Sequence, residues 1–477
     1  MDISPRLDEG AEQPLYMQLY HYFREEIQTG RLPSATRLPS VRDLCRFLQL
    51  SKTTVESAYH QLMAEGYIES RERSGFYVVE MDSELTASPA APTSPLLSAG
   101  EGLKKETIRY DFHPARVEAE HFPFDLWRKY TNQCFRAEHK EIIHYGDRQG
   151  EPELREQLAS YLRRARGVNC TADQIVLAAG TQLIINLLCQ MIGVDGRPVA
   201  MEEPGYNGVR SVFVHLGYAL RPIPLEDDGI DVEALASSDA RLVYITPSHQ
   251  DPSGAVMPFA KRMRLLQWAA KANGLIIEDD YDGEFRYHGK PIPSLQGMDT
   301  HGNVVYIGTF SKSLLPAIRI SYMVLPPGLL AIFHGRFSTY DQSVSPIHQK
   351  VLALFMKNGE WERHIRKMRT IYQKKHDVML HALRAVMGQH VQVRGQDAGL
   401  SVTLEVNSRL SADELAQEAE RAGIRVYPTT GKWLHPPQNR PPAFQLGFGG
   451  LTVEQIEEGI RQLYRCWKPF LEKKAGT

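Results

Sequence analysis

Cysteine is scarce in this sequence, and its spacing is irregular. The five cysteines are odd in number, are scattered over 477 residues and lack the paired spacing of metal ligands. A disulfide framework needs an even set of paired cysteines, so we expect free thiols in a reducing compartment. The 17 histidines are also dispersed, and the sequence therefore predicts no metal site.

Long apolar runs and an excess of charge of one sign are also absent. No apolar run approaches the roughly 20 residues that a membrane helix needs. The N-terminal residues MDISPRLDEG are acidic and polar, unlike a signal peptide, so we expect a cytoplasmic protein. Lys and Arg total 55 against 57 Asp and Glu, a net charge of −2. This balance excludes a basic coat over the whole chain but leaves room for a local basic face.

One stretch differs in composition from the rest of the chain, which is too long for one core. Residues 82–107, DSELTASPAAPTSPLLSAGEGLKKET, are rich in Pro, Ala and Ser and have no sustained periodicity. Segments of this kind typically connect domains. We therefore predict a small N-terminal domain over 1–81, a linker over 82–107 and a large domain over 108–477.

The small N-terminal part has the periodicity of three helices followed by a hairpin. Its first apolar residues recur at helical spacing and end at a glycine: Leu15, Leu19, Phe23, Ile27 and Gly30. Ser40 and Ser51 are predicted to cap two further helices. The inward-facing residues of these two helices should be Leu44, Phe47, Leu48, Val55, Tyr59 and Leu62. The segment YIESRERSGFYVVE then has two β-prone arms around a polar tip, so the pattern predicts a winged helix-turn-helix.

The third helix begins with the short polar and cationic side chains that a DNA recognition helix needs. Such donors approach phosphates and base edges in the major groove. The candidate DNA-binding residues are Arg37, Ser40, Arg42, Ser51, Lys52, Thr53 and Thr54, with Arg71 and Arg73 in the wing. Residues 37–53 hold four basic residues against one acidic residue, although 1–81 as a whole have a net charge of −3. The alternative is a small helical domain whose polar residues only face water.

The same stretch resembles the GntR-type winged helix over residues 13–79. The resemblance rests on PLYMQLY, on the turn Gly30-Arg31-Leu32 and on the run RLPSVRDLCRFLQLSKTTVESAYHQLMAEGYIESRERSGFYV. A usual glycine of the family is replaced by Ala35 or Thr36. The resemblance implies that this domain binds promoter DNA.

After the linker, β-like runs alternate with helical segments, which predicts an α/β domain with a mostly parallel sheet. The run QIVLAA leads into Gly180-Thr181-Gln182 and a helix, whose free N–H groups form a phosphate site. Three more strand ends carry reactive groups: RLVYITP leads into SHQDPSG, GLIIE into Asp279-Asp280-Tyr281, and NVVYIG into Thr309-Phe310-Ser311-Lys312. Ligands bind beyond the carboxyl ends of strands in open α/β sheets, so these groups are expected in one site.

A lysine, a carboxylate, a phenol and a phosphate cradle form the set that pyridoxal 5'-phosphate requires. The lysine makes a Schiff base, the carboxylate pairs with the pyridinium nitrogen, and backbone and hydroxyl donors hold the phosphate. Each residue alone is more often a surface or structural group. Their joint placement at strand ends is what predicts this cofactor.

These stretches resemble fold-type I aminotransferases over most of residues 110–470. The resemblance is carried by YGDRQGEPELR, EEPGYNGVR, IIEDDYDGEFRY and TFSKSLLPAIRISYMVLP. Together with the GntR-type head, they are similar to the MocR subfamily of transcription regulators. That subfamily forms homodimers in which each head rests on the partner's large domain, so a domain-swapped homodimer is expected by resemblance.

The resemblance also implies a role for each site residue. Lys312 would form the Schiff base, and Asp279 would pair with the pyridine nitrogen. Tyr281 would contact the ring hydroxyl, and Tyr206 would stack on the ring. The residues that would hold the phosphate are Gly180, Thr181, Gln182, Thr309, Ser311 and Arg319.

Two positions depart from the aminotransferase pattern. Asp251 stands where aminotransferases carry an asparagine near the ring oxygen, and a carboxylate there would repel the cofactor's phenolate unless it is protonated, paired or turned away. Gln445, in FQLGF, replaces the arginine that usually binds the substrate carboxylate, and a neutral amide forfeits that charged pair. Other arginines that could bind a carboxylate are Arg116, Arg210 and Arg425.

The leading hypothesis is a transcription regulator in which a small amine or amino acid forms an external aldimine at Lys312. The altered large domain would then reposition the winged helices on DNA. Gly208, where γ-aminobutyrate-type relatives carry an arginine, favours a small amino acid such as D-alanine. One alternative is an active aminotransferase with a DNA-binding head, against which Asp251 and Gln445 weigh. The other is a scaffold without cofactor, against which the intact lysine, aspartate and tyrosine weigh.

Overall fold

The computed structural model describes residues 5, 7–8, 10, 13–71, 74–80, 108–136, 143–194, 196–289, 292–437 and 440–472. The chain divides into two compact units, Met1–Lys104 and Lys105–Thr477. The linker expected over 82–107 lies outside the described residues, and the domain boundaries stay predictions. Within the described ranges, no helix is long and apolar enough to cross a membrane. The same ranges contain no group of three metal-ligating side chains that could hold an ion.

Three helices and a hairpin form the first unit: α1 (Leu15–Gln28), α2 (Val41–Leu48), α3 (Lys52–Ala64), β1 (Ile68–Arg71) and β2 (Gly75–Val78). The two strands are antiparallel, with Ile68 opposite Val78. The ring of Phe23 from α1 contacts that of Tyr59 from α3 edge to face, with 5.7 Å between centroids. The expected winged helix-turn-helix is confirmed.

The prediction that Phe47 belongs to the core of this unit is wrong. Phe47 is 66 % exposed, whereas Leu44 on the same helix is buried. The apolar stripe of α2 runs through Val41, Leu44, Cys45 and Leu48, and Phe47 lies to one side of this stripe. An apolar side chain is therefore not enough to predict burial on α2, because only one face of this helix packs against the core.

The described part of the second unit begins with these α-helices and strands: β3 (Tyr110–Asp111), α4 (Phe124–Cys134), α5 (Pro152–Arg166), β4 (Ile175–Ala178), α6 (Thr181–Ile192), β5 (Val199–Glu203), α7 (Asn207–His215), β6 (Leu220–Glu226), β7 (Gly229–Ile230), α8 (Val232–Ala236), β8 (Leu242–Ile245), α9 (Phe259–Ala272), β9 (Leu275–Asp280), α10 (Leu295–Met298), β10 (Val304–Thr309) and β11 (Ser321–Val324). It continues with α11 (Pro327–Arg336), α12 (Pro346–Lys357), α13 (Glu360–Met387), β12 (Val391–Arg394), β13 (Ser401–Val406), α14 (Ala412–Arg421), β14 (Ile424–Arg425), β15 (Tyr427–Pro428), β16 (Ala443–Gly447) and α15 (Val453–Trp467).

An eight-stranded sheet organises this unit, in the order β4-β11-β10-β9-β8-β5-β6-β7. The central strands β10, β9, β8, β5 and β6 pair in parallel, whereas β11 is antiparallel to both β4 and β10. The runs QIVLAA, RLVYITP, GLIIE and NVVYIG form β4, β8, β9 and β10. The expected α/β fold with a mostly parallel sheet is therefore confirmed.

Helices cover both faces of this sheet. One face packs on α6 and α7 through residues such as Leu188 and Phe213, and the other packs on α9 through Leu265 and Trp268. Strands buried on both faces need apolar side chains at every position, which is why these strands are continuous apolar runs. Polar residues are then confined to the strand ends, and those ends carry the site.

A second, four-stranded sheet in the order β12-β13-β16-β15 supplies another wall of the site. Its strands are antiparallel, and Gln445 on β16 lies opposite Thr403 on β13 and Tyr427 on β15. Backbone pairing on both sides therefore fixes the position of Gln445. Along the chain, this residue is far from the strand ends of the large sheet.

Candidate functional site

A cavity of about 300 Å³ opens beyond the carboxyl ends of β8, β9 and β10. Nine of the ten residues expected to bind the cofactor line it: Thr181, Gln182, Tyr206, Asp279, Tyr281, Thr309, Ser311, Lys312 and Arg319. The tenth, Gly180, is the N-cap residue of α6 and lies against Arg319. The expected residues are thus brought together, and the role of each stays a prediction.

Lys312 follows β10 and is the amine of the cavity. Its ammonium group donates a hydrogen bond to the carbonyl oxygen of Pro114 at 2.6 Å. Burial lowers the pKa of Lys312 from its ordinary value, and the charges of Asp282 and Asp251 only partly oppose this. A lowered pKa increases the fraction of neutral amine near neutral pH, which is the form that attacks a carbonyl carbon.

Asp279, near the end of β9, is the buried carboxylate of the cavity. Its Oδ2 accepts a hydrogen bond from the Tyr244 hydroxyl at 2.6 Å. Its Oδ1 is buried and finds no hydrogen-bond partner among the described residues. Burial raises the pKa of Asp279 to about 7, and the Asp280 carboxylate adds to the rise. A buried, unpartnered carboxylate oxygen in a cavity wall fits a cationic N–H donor such as a pyridinium ring.

The start of α6 and the segment after β10 form an anion-binding end. Gly180 has a φ of +102°, and a Cβ there would lie 2.1 Å from Nη2 of Arg319, so glycine lets the guanidinium approach. Arg319 itself has a φ of +53°, in the left-handed region. The Thr309 hydroxyl donates to Oγ of Ser311 at 3.1 Å. A helix N-terminus, two hydroxyls and a guanidinium are the donors that a phosphate group needs, so this end fits the phosphate of the cofactor.

Two tyrosines line the cavity in different surroundings. The Tyr281 hydroxyl donates to the carbonyl oxygen of His249 at 2.9 Å and lies 3.1 Å from Nδ1 of the same residue. Nδ1 of His249 also lies 2.8 Å from Oδ2 of Asp282. Burial lowers the pKa of His249, but the charge and the hydrogen bond of Asp282, together with the charge of Asp251, outweigh burial, and the net shift is upward. Tyr206 precedes α7, and the ammonium of Lys432 lies 5.3 Å from the centre of its ring.

The two departures from the aminotransferase pattern contact each other. Nε2 of Gln445 donates to Oδ1 of Asp251 at 3.0 Å, and Nζ of Lys432 donates to Oδ2 at 2.5 Å. Asp251 is therefore paired, which is one of the conditions under which its charge does not repel a phenolate. Lys432, like His249, was missed by the sequence reasoning. Lys432 follows only the two-residue strand β15, whose apolar character is too short to recognise, whereas the SHQ segment after β8 was a usable signal for His249.

The three arginines considered as carboxylate ligands lie outside the described lining of this cavity. Arg116 pairs with Asp111 at 2.8 Å, and Arg425 pairs with Glu420 at 2.7 Å. Arg210 donates to the carbonyl oxygen of Gly431 at 2.7 Å. Each of the three guanidinium groups is thus engaged elsewhere.

Two of the expected DNA-binding residues of the first unit act as helix caps. Oγ of Ser51 accepts from the Thr54 amide at 3.1 Å and bonds the Thr54 hydroxyl at 2.8 Å. Oγ of Ser40 likewise accepts from the Asp43 amide at 3.1 Å and caps α2. These bonds fix the start of α3 and leave the next residue, Lys52, at the exposed helix end.

The cationic and polar residues around these caps are exposed: Arg37, Arg42, Lys52, Thr53 and Arg71. Arg37 forms a β-bridge with Tyr77 of the wing, and the guanidinium of Arg71 lies 4.5 Å from the centre of the Tyr77 ring. Arg73 lies outside the described residues. Exposed cations on α2, α3 and the wing are suited to phosphate contacts.

Comparison with known families assigns both units. The family described as bacterial regulatory proteins, gntR family, matches residues 15–78, and aminotransferase class I and II matches residues 115–463. The chain is 42 % identical to the HTH-type transcriptional regulator YdeL of Bacillus subtilis, over 98 % of this chain and 100 % of that protein. It is 35 % identical to the probable rhizopine catabolism regulatory protein MocR of Rhizobium meliloti, over 96 % and 94 % of the two chains. This chain belongs to the MocR-type regulators of the GntR family.

Solved aminotransferases are similar to this MocR-type chain in fold. An archaeal alanine:glyoxylate aminotransferase has a TM-score of 0.70 and 26 % identity, covering 76 % of this chain and 91 % of its own. The kynurenine aminotransferase of Pyrococcus horikoshii, solved with PMP, has a TM-score of 0.69 and 26 % identity, covering 77 % and 92 %. The cofactor of the chain is pyridoxal 5'-phosphate, so the expected family and cofactor are both confirmed.

Proposed function

We propose that this MocR-type chain is a transcription regulator whose second unit binds pyridoxal 5'-phosphate and senses a small primary amine or amino acid. One observation supports it above all. A single cavity combines an amine of lowered pKa, an unpartnered buried carboxylate oxygen and an anion-binding end, in a chain that also carries a winged helix. When bound, the cofactor supplies a carbonyl carbon to which either Lys312 or an effector amine can attach.

Each expected residue has a role in this proposal. Lys312 holds the cofactor covalently, and the free Oδ1 of Asp279 accepts from the protonated ring nitrogen. Tyr206 packs on the ring, while Tyr281, held by His249, bonds the ring hydroxyl. The phosphate is bound by Gly180, Thr181, Gln182, Thr309, Ser311 and Arg319.

Effector binding changes the charge of the cavity. An amine that takes the place of Lys312 frees its amino group, which can then gain a proton beside Asp282 and Asp251, the two carboxylates whose charges act on it. A ligand shifts a conformational equilibrium only if it binds the two states with different affinity. We propose that this new cation is the source of that difference.

The first unit then carries the response to promoter DNA. Ser40 and Ser51 hold the helix ends, and Arg37, Arg42, Lys52, Thr53 and Thr54 contact phosphates and bases. Arg71 and Arg73 contact DNA from the wing. A homodimer, which the family resemblance implies, would present two such units to a symmetric operator.

The test is the visible absorption spectrum of the cofactor-loaded protein, titrated with a panel of amines and of L- and D-amino acids that includes D-alanine. We expect one compound to convert the lysine-bound band into a stable new band. The variant Lys312→Ala should lack the lysine-bound band, whereas Lys271→Ala, at an exposed position on α9, should keep it.

Three other outcomes would contradict the proposal or a part of it. Rapid conversion to the pyridoxamine form, reversed by an oxo acid, would make the chain an active aminotransferase with a DNA-binding head. Failure to form any band with the cofactor would leave the second unit as a scaffold. A reporter gene that responds equally to the effector in Lys312→Ala would contradict the role of this lysine.

A further inference from the structure

One wall of the cavity is a buried ion pair backed by an amide. Lys432 and Asp251 pair at 2.5 Å, with only 17 % and 10 % of their side chains exposed. The amide nitrogen of Gln445 donates to Oδ1 of Asp251 at 3.0 Å and to the Ser401 hydroxyl at 3.2 Å. Because a primary amide has two N–H groups, Gln445 has no donor left for a ligand.

Lys432 is held in place from its own backbone. Its carbonyl oxygen accepts from the amide of Gly205 at 3.0 Å. The preceding carbonyl oxygen, that of Gly431, accepts from Nη2 of Arg210 at 2.7 Å. These bonds join the loop before β16 to Gly205, between β5 and α7, and to Arg210 on α7, so the backbone at Lys432 is held by a separate part of the chain.

Asp251 is held in the same manner. Its amide donates to Oγ1 of Thr246 at 3.1 Å, and that hydroxyl donates to Oε2 of Glu202 at 2.9 Å. The side chain of Gln250 donates to the Asp251 carbonyl oxygen at 2.8 Å. Both members of the ion pair are therefore preorganised, and a ligand meets them in this arrangement.

This wall discriminates among the groups that an amine could carry beside its amino group. A carboxylate only accepts hydrogen bonds, so it could donate nothing to Asp251, would find no free donor on the Gln445 amide, and would have to compete with Asp251 for the ammonium of Lys432. A second ammonium only donates, and Lys432 would repel it. A hydroxyl both donates and accepts, so it can donate to Asp251 and accept from Lys432, whose ammonium has three N–H groups.

We propose that the effector is a primary amine that carries a hydroxyl group in place of a carboxylate, and that Asp251 and Lys432 bind this hydroxyl. The inference rests on the proposed function, since it names the effector class of the same cavity. It differs from the small amino acid that the sequence favours, because D-alanine retains the carboxylate that this wall disfavours. Of the two other cations in the lining, Arg319 is assigned to the phosphate, and Lys312, once the effector has displaced it, lies beside Asp282 and Asp251, whose charges act on it.

The experiment compares two matched pairs of ligands on the cofactor-loaded full chain. D-alaninol and D-alanine, and likewise L-alaninol and L-alanine, differ only in a hydroxymethyl group against a carboxylate. Dissociation constants are measured from the cofactor absorption and, independently, from the shift in thermal unfolding midpoint. We expect one alaninol to bind at least about tenfold more tightly than the alanine of the same configuration, since the carboxylate of alanine would compete with Asp251 for Lys432 and could donate no hydrogen bond to Asp251.

The outcomes separate this inference from the proposed function. If alanine binds as tightly as alaninol or more tightly, while the cofactor band responds, the inference is wrong and the sensing function stands. If none of the four amines, nor any amine of the wider panel, moves the band, the sensing function and the inference fail together.

A charge-removing variant tests the residues themselves. Asp251→Asn keeps the size of the side chain and frees Lys432, so alanine should bind about tenfold more tightly and alaninol more weakly than to wild type. The matched control is Asp228→Asn, which removes the carboxylate of another lysine pair, with Lys261, outside the cavity lining. The control should keep the wild-type preference. An equal change for both ligands in Asp251→Asn would show only a structural role and would contradict the inference.

Discussion

The buried carboxylate of Asp279 makes a sharp prediction about the protein without cofactor. Its pKa is raised to about 7, first by burial and then by neighbouring carboxylates, although the Tyr244 hydroxyl partly opposes the rise. Above neutral pH the cofactor-free cavity must therefore hold an ionised carboxylate without a cationic partner at Oδ1. The variant Asp279→Asn keeps the shape and removes the charge, so it should stabilise the cofactor-free second unit at high pH.

The magnitude follows from linkage between protonation and folding. The unfolded chain releases the proton near the ordinary pKa of 3.8, and the folded chain releases it near 7. Between these values the folded state binds more protons, so its stability falls as pH rises, and the loss is complete above about pH 7. At about 1.36 kcal/mol per pKa unit, the whole window corresponds to about 4 kcal/mol, of which about 3 kcal/mol falls between pH 5 and pH 8.

Tryptophan fluorescence isolates the second unit for this measurement. All five tryptophans lie there: Trp127, Trp268, Trp361, Trp433 and Trp467. Urea unfolding of the cofactor-free wild type and of Asp279→Asn at pH 5 and pH 8 gives the difference in free energy of unfolding. Other buried carboxylates with a raised pKa, such as Glu202, are present in both proteins and cancel.

The stability advantage of Asp279→Asn should grow by about 3 kcal/mol from pH 5 to pH 8. A difference that does not change with pH would refute the reasoning, because it would mean that Asp279 has the same charge at both values. Bound cofactor should reverse the order at pH 8, since a protonated ring nitrogen gives the wild-type carboxylate the partner that asparagine cannot replace.

Two further predictions concern the phosphate end and the DNA-binding unit. Gly180→Ala should weaken cofactor binding at least tenfold in a spectrophotometric titration, because its Cβ would displace Arg319, whereas Gly193→Ala, also at positive φ but with open space around it, should leave the affinity unchanged. Replacing Lys52 and Thr53 together with alanine should weaken operator binding at least tenfold in a gel-shift titration and leave the cofactor spectrum unchanged, with Arg31→Ala, whose guanidinium pairs with Glu26 of α1, as control. If a variant and its control lose the same affinity, the role assigned to the altered residue, in phosphate binding or in DNA binding, is contradicted.

Local sequence signals were sufficient for the fold and for much of the site. The buried parallel strands β8, β9 and β10 are continuous apolar runs, and their polar ends mark the edge of the sheet where a ligand binds. Asp279 and Lys312 could be placed in one site for this reason alone. The helix starts at Ser40 and Ser51 were also readable, because a capping hydroxyl bonds the amide three residues later.

Contacts between distant segments could not be read in this manner. Lys432 lies 181 residues from Asp251 along the chain, and only the packing of the four-stranded sheet beside the large sheet brings them together. The lysine itself lies in a short turn after the two-residue strand β15, so nothing local distinguishes it from an exposed cation. The prediction for Phe47 was wrong for a related reason, since the face of a two-turn helix that is buried depends on which elements pack against it.

Asp251 and Gln445, the two departures from the aminotransferase pattern, predict a different site when they are considered together than when each is considered alone. Alone, Asp251 suggests repulsion of the cofactor, and Gln445 suggests a lost carboxylate ligand. Together, the amide of Gln445 bonds Asp251, and Lys432 neutralises it, so the charge that would harm cofactor binding is retained without that penalty. The substitutions are therefore consistent with one change, from a wall that binds a carboxylate to a wall that binds a neutral donor and acceptor.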